Sequence, residues 1–252
     1  MKLYSVETGG YLGDDYYEIT GIRNILVSYF YFSKNQQLIK IKSNFPDVNF
    51  ILDSGAFSAF TQSKVIDKEA FYQYVKDNMD LFNHVVALDD LKDPEYTKQN
   101  YIEMKKFRPD VIPTFHFGED YDFLKYYVKN SDYIAIGGTV QLQSGRKITN
   151  FIIKCLEMIP KEKKIHLFGV FNPNILFRFN NRIESADAST ISVKTANTNQ
   201  GLNVSGFPRV MKEIFPYRTI QNDQKRKLLF YNAKRLLDIE KQINEYGMKV
   251  NG

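Results

Sequence analysis

Acidic side chains stand at the ends of several short apolar segments, where they could perform acid–base or nucleophilic chemistry. Asp53, Asp89 and Asp187 each close such a segment, and His116 closes another. Carboxylates that converge raise one another's pKa values, which lets one act as a nucleophile and another as a general acid. Each aspartate also has a structural interpretation, because Asp often caps a turn or a helix in such a place. Their shared position favours the catalytic interpretation.

Two further apolar segments end in glycine, at Gly137–Gly138 and at Phe168-Gly169. Glycine there lets the chain turn, and it also lets a ligand approach the backbone closely. Both interpretations stay open from the residues alone.

The elements that must position these residues alternate between apolar runs and amphipathic segments of helical period. Near-continuous apolar interiors, as in Val85–Leu88, are typical of strands buried on both faces of a parallel sheet. Seven strands are predicted: Asn24–Tyr29, Asn49–Asp53, His84–Asp89, Val111–His116, Tyr133–Gly138, Lys164–Val170 and Ile183–Asp187. An eighth is expected either in Leu3–Glu7 or after Ser189.

Helices are predicted between the strands, over Asp67–Asn83, Pro94–Phe107 and Lys147–Ile159. Asp93 before Pro94 is a typical helix start. The alternation predicts an α/β fold, a (β/α)8 barrel of the TIM type, in which the carboxyl ends of the strands build the active site. A doubly wound open sheet is the alternative, but no glycine-rich nucleotide turn follows the first strand.

Length and composition limit the classes of protein that fit. The 252 residues, 43% of them hydrophobic, predict one barrel domain over residues 1–252. No apolar run suits a membrane span or a signal peptide, so we expect no membrane partner and a cytoplasmic location. The net charge of +5 is compatible with nucleic acid without requiring it. A basic C-terminal helix, at about residues 219–248, is expected either to cover the barrel or to contact phosphates.

The histidines and the cysteine offer little for a metal. His84 and His166 are interpreted as structural, and His116 is the best candidate for contact with a ligand. A metal site built on His116 and nearby carboxylates lacks tight ligand spacing, so neither a metal nor a cofactor is expected. Cys155, the one cysteine, falls on the apolar face of its helix and is interpreted as a core residue.

Five segments, in chain order, carry a family resemblance: Ile51–Ser58, Val86–Asp90, Ile134–Gly138, His166–Val170 and Ser185–Ala188. They resemble motifs of the tRNA-guanine transglycosylase superfamily, the queuine tRNA-ribosyltransferase-like enzymes. The first resembles the family's Asp-Ser-Gly-Gly-Phe-Gln segment, the second its Phe-Asp-Glu strand end and the third its Gly-Gly strand. The fourth is similar to Leu-Met-Gly-Val, and the fifth falls where the family carries its nucleophilic aspartate.

The resemblance implies a glycosyltransferase that exchanges a base by double displacement. Asp187 would attack C1′ of the sugar, guanine would leave, and an incoming 7-deazaguanine would displace the aspartate. Asp53 would protonate the leaving base and deprotonate the new one. Substrate-binding roles fall to the remaining matched positions, with Asp89 on the base edge, Gly138 on its carbonyl side and Phe57 with Phe168 on its faces. The other candidates are Ser54, Gly137, Gly169 and His116, which stands where the family usually has glutamine.

Departures from the family point to a compact branch. A lone Cys155 cannot supply the family's three-cysteine zinc site, so we expect the zinc subdomain to be absent. Ala56 and Ser58 replace a glycine and a glutamine, and the polar stretch Ser189–Ser205 replaces the familiar segment after the nucleophile. These features resemble phage-associated enzymes that insert 7-deazaguanines into DNA.

The expected partners are therefore DNA rather than tRNA, and a 7-deazaguanine base such as a preQ0-type precursor. A phage-encoded chain would work in the host cytoplasm, and the resemblance leaves a homodimer open. Two alternatives remain. One is a hydrolase of nucleosides or bases, which would release base without reinsertion. The other is a non-catalytic nucleic-acid-binding relative, which would form no covalent adduct.

Overall fold

The chain forms a ring of eight parallel strands in a computed structural model, which describes residues 1–7, 14–142, 144–188 and 222–250. The strands are β1 Lys2–Glu7, β2 Asn24–Ser28, β3 Asn49–Asp53, β4 His84–Val85, β5 Thr114–His116, β6 Tyr133–Gly137, β7 Lys164–Leu167 and β8 Ser185–Ala188. Their order is β4-β3-β2-β1-β8-β7-β6-β5, with every pair parallel.

Helices follow most of the strands and surround the sheet. They are α1 Asp14–Thr20, α2 Gln36–Asn44, α3 Ala56–Thr61, α4 Lys68–Asp77, α5 Pro94–Lys105, α6 Tyr121–Asn130, α7 Gly145–Met158, α8 Pro173–Phe179 and α9 Asn222–Val250, with a 3-10 turn at Thr139–Gln141. Side chains that cap the first turn begin several of them, as predicted for α5, where Asp93 accepts from the Tyr96 N–H at 2.9 Å.

The two end strands of the order, β4 and β5, approach each other just beyond β4. Val86 and Ile112 form a parallel bridge, and the Ala87 N–H donates to the Ile112 carbonyl at 2.9 Å. The predicted (β/α)8 fold of the TIM type is therefore confirmed, and the eighth strand lies at Lys2–Glu7, the first of its two expected places.

Several predicted elements are shorter than the hydrophobic pattern indicated. Strand β5 begins at Thr114 instead of Val111, because Pro113 has no N–H for the ladder. Strand β7 ends at Leu167, and Gly169 turns the chain with φ +64°. Helix α4 ends at Asp77 instead of Asn83. There the Asn78 side-chain amide donates back to the Tyr74 carbonyl at 2.8 Å.

Strand residues alternate between two buried layers. Tyr4, Leu26, Ile51, Val86 and Ile112 belong to a cluster drawn from strands all around the ring, so it fills the barrel interior. The neighbouring strand residues pack outward against the helices in a larger cluster. That outer cluster includes Cys155, which confirms its interpretation as a core residue.

The basic C-terminal helix covers the outside of the barrel. Leu236, Ile239 and Ile243 of α9 are buried, as expected for a helix that covers the barrel. Glu240 Oε2 accepts from the Leu3 N–H at 2.6 Å, so this part of α9 lies at the amino end of β1, away from the strand ends that carry the acidic residues. This packing favours the covering role for these turns. No helix in the described part of the chain has the length and hydrophobicity to cross a membrane.

Candidate active site

The acidic strand ends converge on one mouth of the barrel. Ile51 and Ile112 lie in the interior cluster, and Asp53 and His116 follow them by two and four residues on the same strand faces. The Asp89 carboxylate contacts the His116 ring. The charges of Asp89 and Asp187 both raise the pKa of Asp53. Four of the predicted residues, contributed by β3, the segment after β4, β5 and β8, therefore share one site.

Asp53 ends β3 partly buried, in a carboxylate-rich setting. Burial, the nearby Asp89 carboxylate and, to a smaller extent, Asp187 raise the pKa of Asp53 to about 8, although an N–H of Gly55 donates to its Oδ2 at 3.0 Å. A carboxyl group with a pKa in this range can hold a proton and release it near neutral pH. That property suits a general acid and base.

Gly55 allows the tight turn after Asp53. Its φ is +81°, and a Cβ there would lie 2.2 Å from Ser28 Oγ and 2.6 Å from Phe30 Cβ. Only glycine fits this backbone without displacing its neighbours. The turn leaves Ser54 fully buried, with its hydroxyl donating to Asp89 Oδ1 at 2.8 Å.

His116 lies between two carboxylates. Its Nε2–H donates to Asp89 Oδ2 at 3.0 Å, and its Nδ1–H donates to Glu119 Oε1 at 2.8 Å. Burial lowers the pKa of His116, but the bonds and charges of Asp89 and Glu119 outweigh it and raise the pKa to about 10. The ring is therefore an imidazolium at neutral pH. It fixes Asp89 from one side while Ser54 fixes it from the other.

Gly137 and Gly138 bring the β6 backbone against this histidine. A Cβ on Gly137 would lie 3.2 Å from His116 Cδ2, and a Cβ on Gly138 would lie 2.7 Å from the Phe117 backbone nitrogen. Gly138 also has a φ of +74°. The glycines are thus required by close packing, and the expectation that Gly138 contacts a base stays a prediction.

Asp187 is the most buried of the aspartates predicted for the site. The Gly169 N–H donates to its Oδ1 at 2.7 Å, and His166 Nε2 lies 3.5 Å from the same oxygen. Among the described residues, no hydrogen bond reaches Oδ2. One oxygen of Asp187 is therefore held, and the other has no hydrogen-bond partner in the part of the chain that the structure describes, an arrangement that suits a nucleophilic carboxylate.

The two predicted base-stacking aromatics lie in different environments. Phe168 packs partly buried against the interior cluster, with its ring 4.6 Å from that of His166. Phe57 lies on α3 with 51% of its surface exposed. Their joint role in sandwiching a base stays a prediction.

The paired acidic residues after β4 have separate roles. Asp89 enters the site, whereas Asp90 Oδ1 accepts from the backbone N–H groups of Lys92 at 2.8 Å and Asp93 at 3.0 Å. Asp90 therefore shapes the turn before α5.

Sequence reasoning missed a polar network beneath Asp187. His166 is buried as expected, but its Nδ1 bonds Ser185 Oγ at 2.6 Å, and Ser185 Oγ bonds the Tyr133 hydroxyl at 2.6 Å. The signal available was strand alternation, because His166 precedes Phe168 and Ser185 precedes Asp187 by two residues. Glu7, buried at the end of β1, was also missed.

The polar stretch Ser189–Ser205 lies outside the described residues. Within the described part of the chain, no three His, Cys, Asp or Glu side chains are arranged to hold a metal ion. Comparison of the sequence with models of protein families and with curated proteins finds no match.

Proposed function

We propose that this chain is a glycosyltransferase that replaces guanine in nucleic acid, and in DNA rather than tRNA, by a 7-deazaguanine through a covalent aspartyl–sugar intermediate. The observation that carries the proposal is the pair formed by Asp187, held through one oxygen, and Asp53, which lies near enough for the two charges to interact. The resemblance of the strand-end motifs supplies the substrate class.

The first displacement uses both aspartates. Asp187 Oδ2 attacks C1′ of the target nucleotide, a C–O bond forms, and the bond from C1′ to the guanine nitrogen breaks. Asp53 gives its proton to the departing base, so guanine leaves neutral. The raised pKa of Asp53 supports this role, because the group is protonated below about pH 8.

The second displacement reverses the proton transfer. The incoming 7-deazaguanine loses its ring N–H proton to Asp53 and attacks C1′, and the ester bond to Asp187 breaks. Two inversions give net retention at C1′. An enzyme that used water here would hydrolyse the nucleotide, which is the competing hydrolase reaction.

The Asp89–His116–Glu119 group supports recognition of a polar base edge. Asp89 receives hydrogen bonds on both oxygens, from Ser54 and His116, so its orientation is fixed. Each carboxylate oxygen can still accept a second bond, and the N–H groups of a guanine edge are suitable donors. His116 occupies the place of the family's glutamine as a charged donor already committed to carboxylates.

A surface beside the mouth supports a polymeric substrate. We call it the α3 rim, formed by Tyr31, Phe57, Phe60, Lys64 and Lys92. Phe57 and Phe60 lie one turn apart on α3 and are each about half exposed. Lys92 Nζ lies 4.9 Å from the Phe60 ring centre. Exposed rings interleaved with lysines suit stacking of unpaired bases and contact with phosphates, as a flipped-out nucleotide requires.

The test is incorporation of a labelled preQ0-type base into duplex DNA and, in parallel, into tRNA. We expect label in DNA, with one guanine released for each base inserted, and no label with Asp187→Asn. Label in tRNA alone would overturn the choice of DNA. Guanine release without label would indicate the hydrolase, and salt-sensitive DNA binding without either product would indicate a non-catalytic relative.

A further inference from the structure

The polar network beneath Asp187 is a chain of buried, hydrogen-bonded groups that crosses three strands. The Tyr133 hydroxyl on β6 lies 2.6 Å from Ser185 Oγ on β8, and Ser185 Oγ lies 2.6 Å from His166 Nδ1 on β7. The other ring nitrogen, Nε2, lies 3.5 Å from Asp187 Oδ1. His166 and Ser185 are almost completely buried, so solvent does not compete for these groups.

The direction of the hydrogens follows from what each group can donate or accept. An ionised Asp187 only accepts, so a favourable contact requires the hydrogen on His166 Nε2. A neutral imidazole protonated there has an accepting Nδ1, to which Ser185 donates. The Ser185 oxygen then accepts from Tyr133. All three hydrogens of this polar network therefore point toward Asp187.

His166 Nε2 has Asp187 as its only ion-pairing acceptor among the described residues, at a distance beyond a normal hydrogen bond. A buried donor without a partner destabilises the fold. Catalytic hydrogen bonds are often long in the absence of substrate and shorten in the complex. A core histidine placed only for packing has no need to direct an unpaired N–H at a carboxylate.

We propose that His166 is a positioning residue for Asp187: its Nε2–H and the Gly169 N–H hold Oδ1, so that Oδ2 is the oxygen that bonds to C1′. The inference rests on the proposed function and deepens it. In the covalent ester Oδ1 is the carbonyl oxygen, still facing both donors. When the C1′–Oδ2 bond breaks, its electron pair returns to the carboxylate, and the same donors stabilise the charge.

Kinetics of base exchange test the role in catalysis. His166→Leu removes the donor, and we expect kcat to fall about 10²-fold with little change in KM, as when one preorganised donor is lost. His166→Gln keeps an N–H of similar reach and should restore most of kcat. Tyr133→Phe should reduce kcat less. Tyr74→Phe is its control, because that buried hydroxyl has no hydrogen-bond partner among the residues that the structure describes.

Wild-type kcat in His166→Leu would overturn the inference. So would failure of His166→Gln to exceed His166→Leu in kcat while both variants fold. Neither result would affect the exchange activity of the wild type, which tests the proposed function separately.

Imidazole nitrogen NMR tests the contact without any activity. The chain has three histidines, which keeps the spectrum simple. We expect His166 as the Nε2–H tautomer and expect its Nε2 signal to move in Asp187→Asn, while the His84 signals stay. An Nδ1–H tautomer, or an unchanged Nε2 signal, would overturn the inference. A shifted signal in a protein without exchange activity would leave the contact standing and remove the proposed function.

Discussion

At the scale of single residues, the site separates its aspartates by environment. Asp187 is held by a backbone N–H, whereas Asp53 lies partly buried beside two other carboxylates, which favours its protonated form. Carboxylates in different environments can take opposite roles in one reaction. Both residues were predicted from the sequence, because each ends an apolar run. Their protonation could not be predicted, because it depends on neighbours from other strands.

The raised pKa of Asp53 predicts a pH dependence for guanine release. Asp53 must be protonated to donate, so the single-turnover rate should be constant below the pKa and fall as pH rises through about 8. Asp53→Asn should lose about 10²–10⁴-fold in rate. Asp90→Asn is the control, since Asp90 only shapes a turn. A rate that increases through pH 8 would exclude Asp53 as the acid.

Glu7 predicts a pH dependence of stability. Burial raises its pKa to about 8, above the usual value for Glu, so the folded state favours the protonated form. The stabilising effect is complete below pH 4.5 and is lost as pH rises through about 8. Glu7→Gln should therefore increase the free energy of unfolding at pH 9, by on the order of a few kcal/mol. Urea denaturation at pH 5 and pH 9 measures this, and an equal effect at both pH values would contradict it.

At the scale of elements, strand ends and their turns build the site. The apolar run Phe50–Leu52, closed by Asp53, was readable in the sequence, and it predicted both a strand and a candidate catalytic residue at its end. Boundaries were less predictable where one residue decides them, as Pro113 does before β5. The polar network from Tyr133 to His166 could not be predicted, because it depends on the register between β6, β7 and β8.

The turn after β3 predicts a matched pair of glycine substitutions. Gly55→Ala should destabilise the fold by more than the roughly 1–3 kcal/mol of backbone strain alone, because its Cβ would clash with Ser28 and Phe30. Gly118→Ala has a similar φ of +99° but meets nothing within 4 Å, so it should show only the strain. Thermal unfolding compares them. Equal losses of stability in the two variants would show that Ser28 and Phe30 move and relieve the clash, which would contradict this prediction.

At the scale of the whole molecule, one end of the barrel carries the proposed chemistry and the surface suited to substrate. The α3 rim borders the mouth, whereas the buried face of α9 packs on β1 and contacts its amino end. The barrel was predictable because seven strand signals alternate with helical patterns along the sequence, which left only the place of the eighth strand open. The α3 rim was not, because exposure of Phe57 and Phe60 depends on how α3 lies against the barrel.

The α3 rim predicts selective loss of nucleic-acid binding. Phe57→Ala and Phe60→Ala should each weaken binding of single-stranded DNA by about 1–3 kcal/mol, the usual contribution of one stacked base. Stability should hardly change, since both rings are half exposed. Ile39→Ala, on exposed α2, is the control. Fluorescence anisotropy at fixed salt measures the affinity, and equal affinities for all three variants would exclude this surface.

The covalent intermediate is the central claim, and peptide mapping of the enzyme trapped on guanine-containing DNA tests it most directly. With no incoming base present, we expect guanine release and a sugar-linked DNA adduct on the peptide that contains Asp187. The adduct should be absent in Asp187→Asn. Adduct on another residue, or base exchange with inversion at C1′ and no adduct, would contradict double displacement through Asp187.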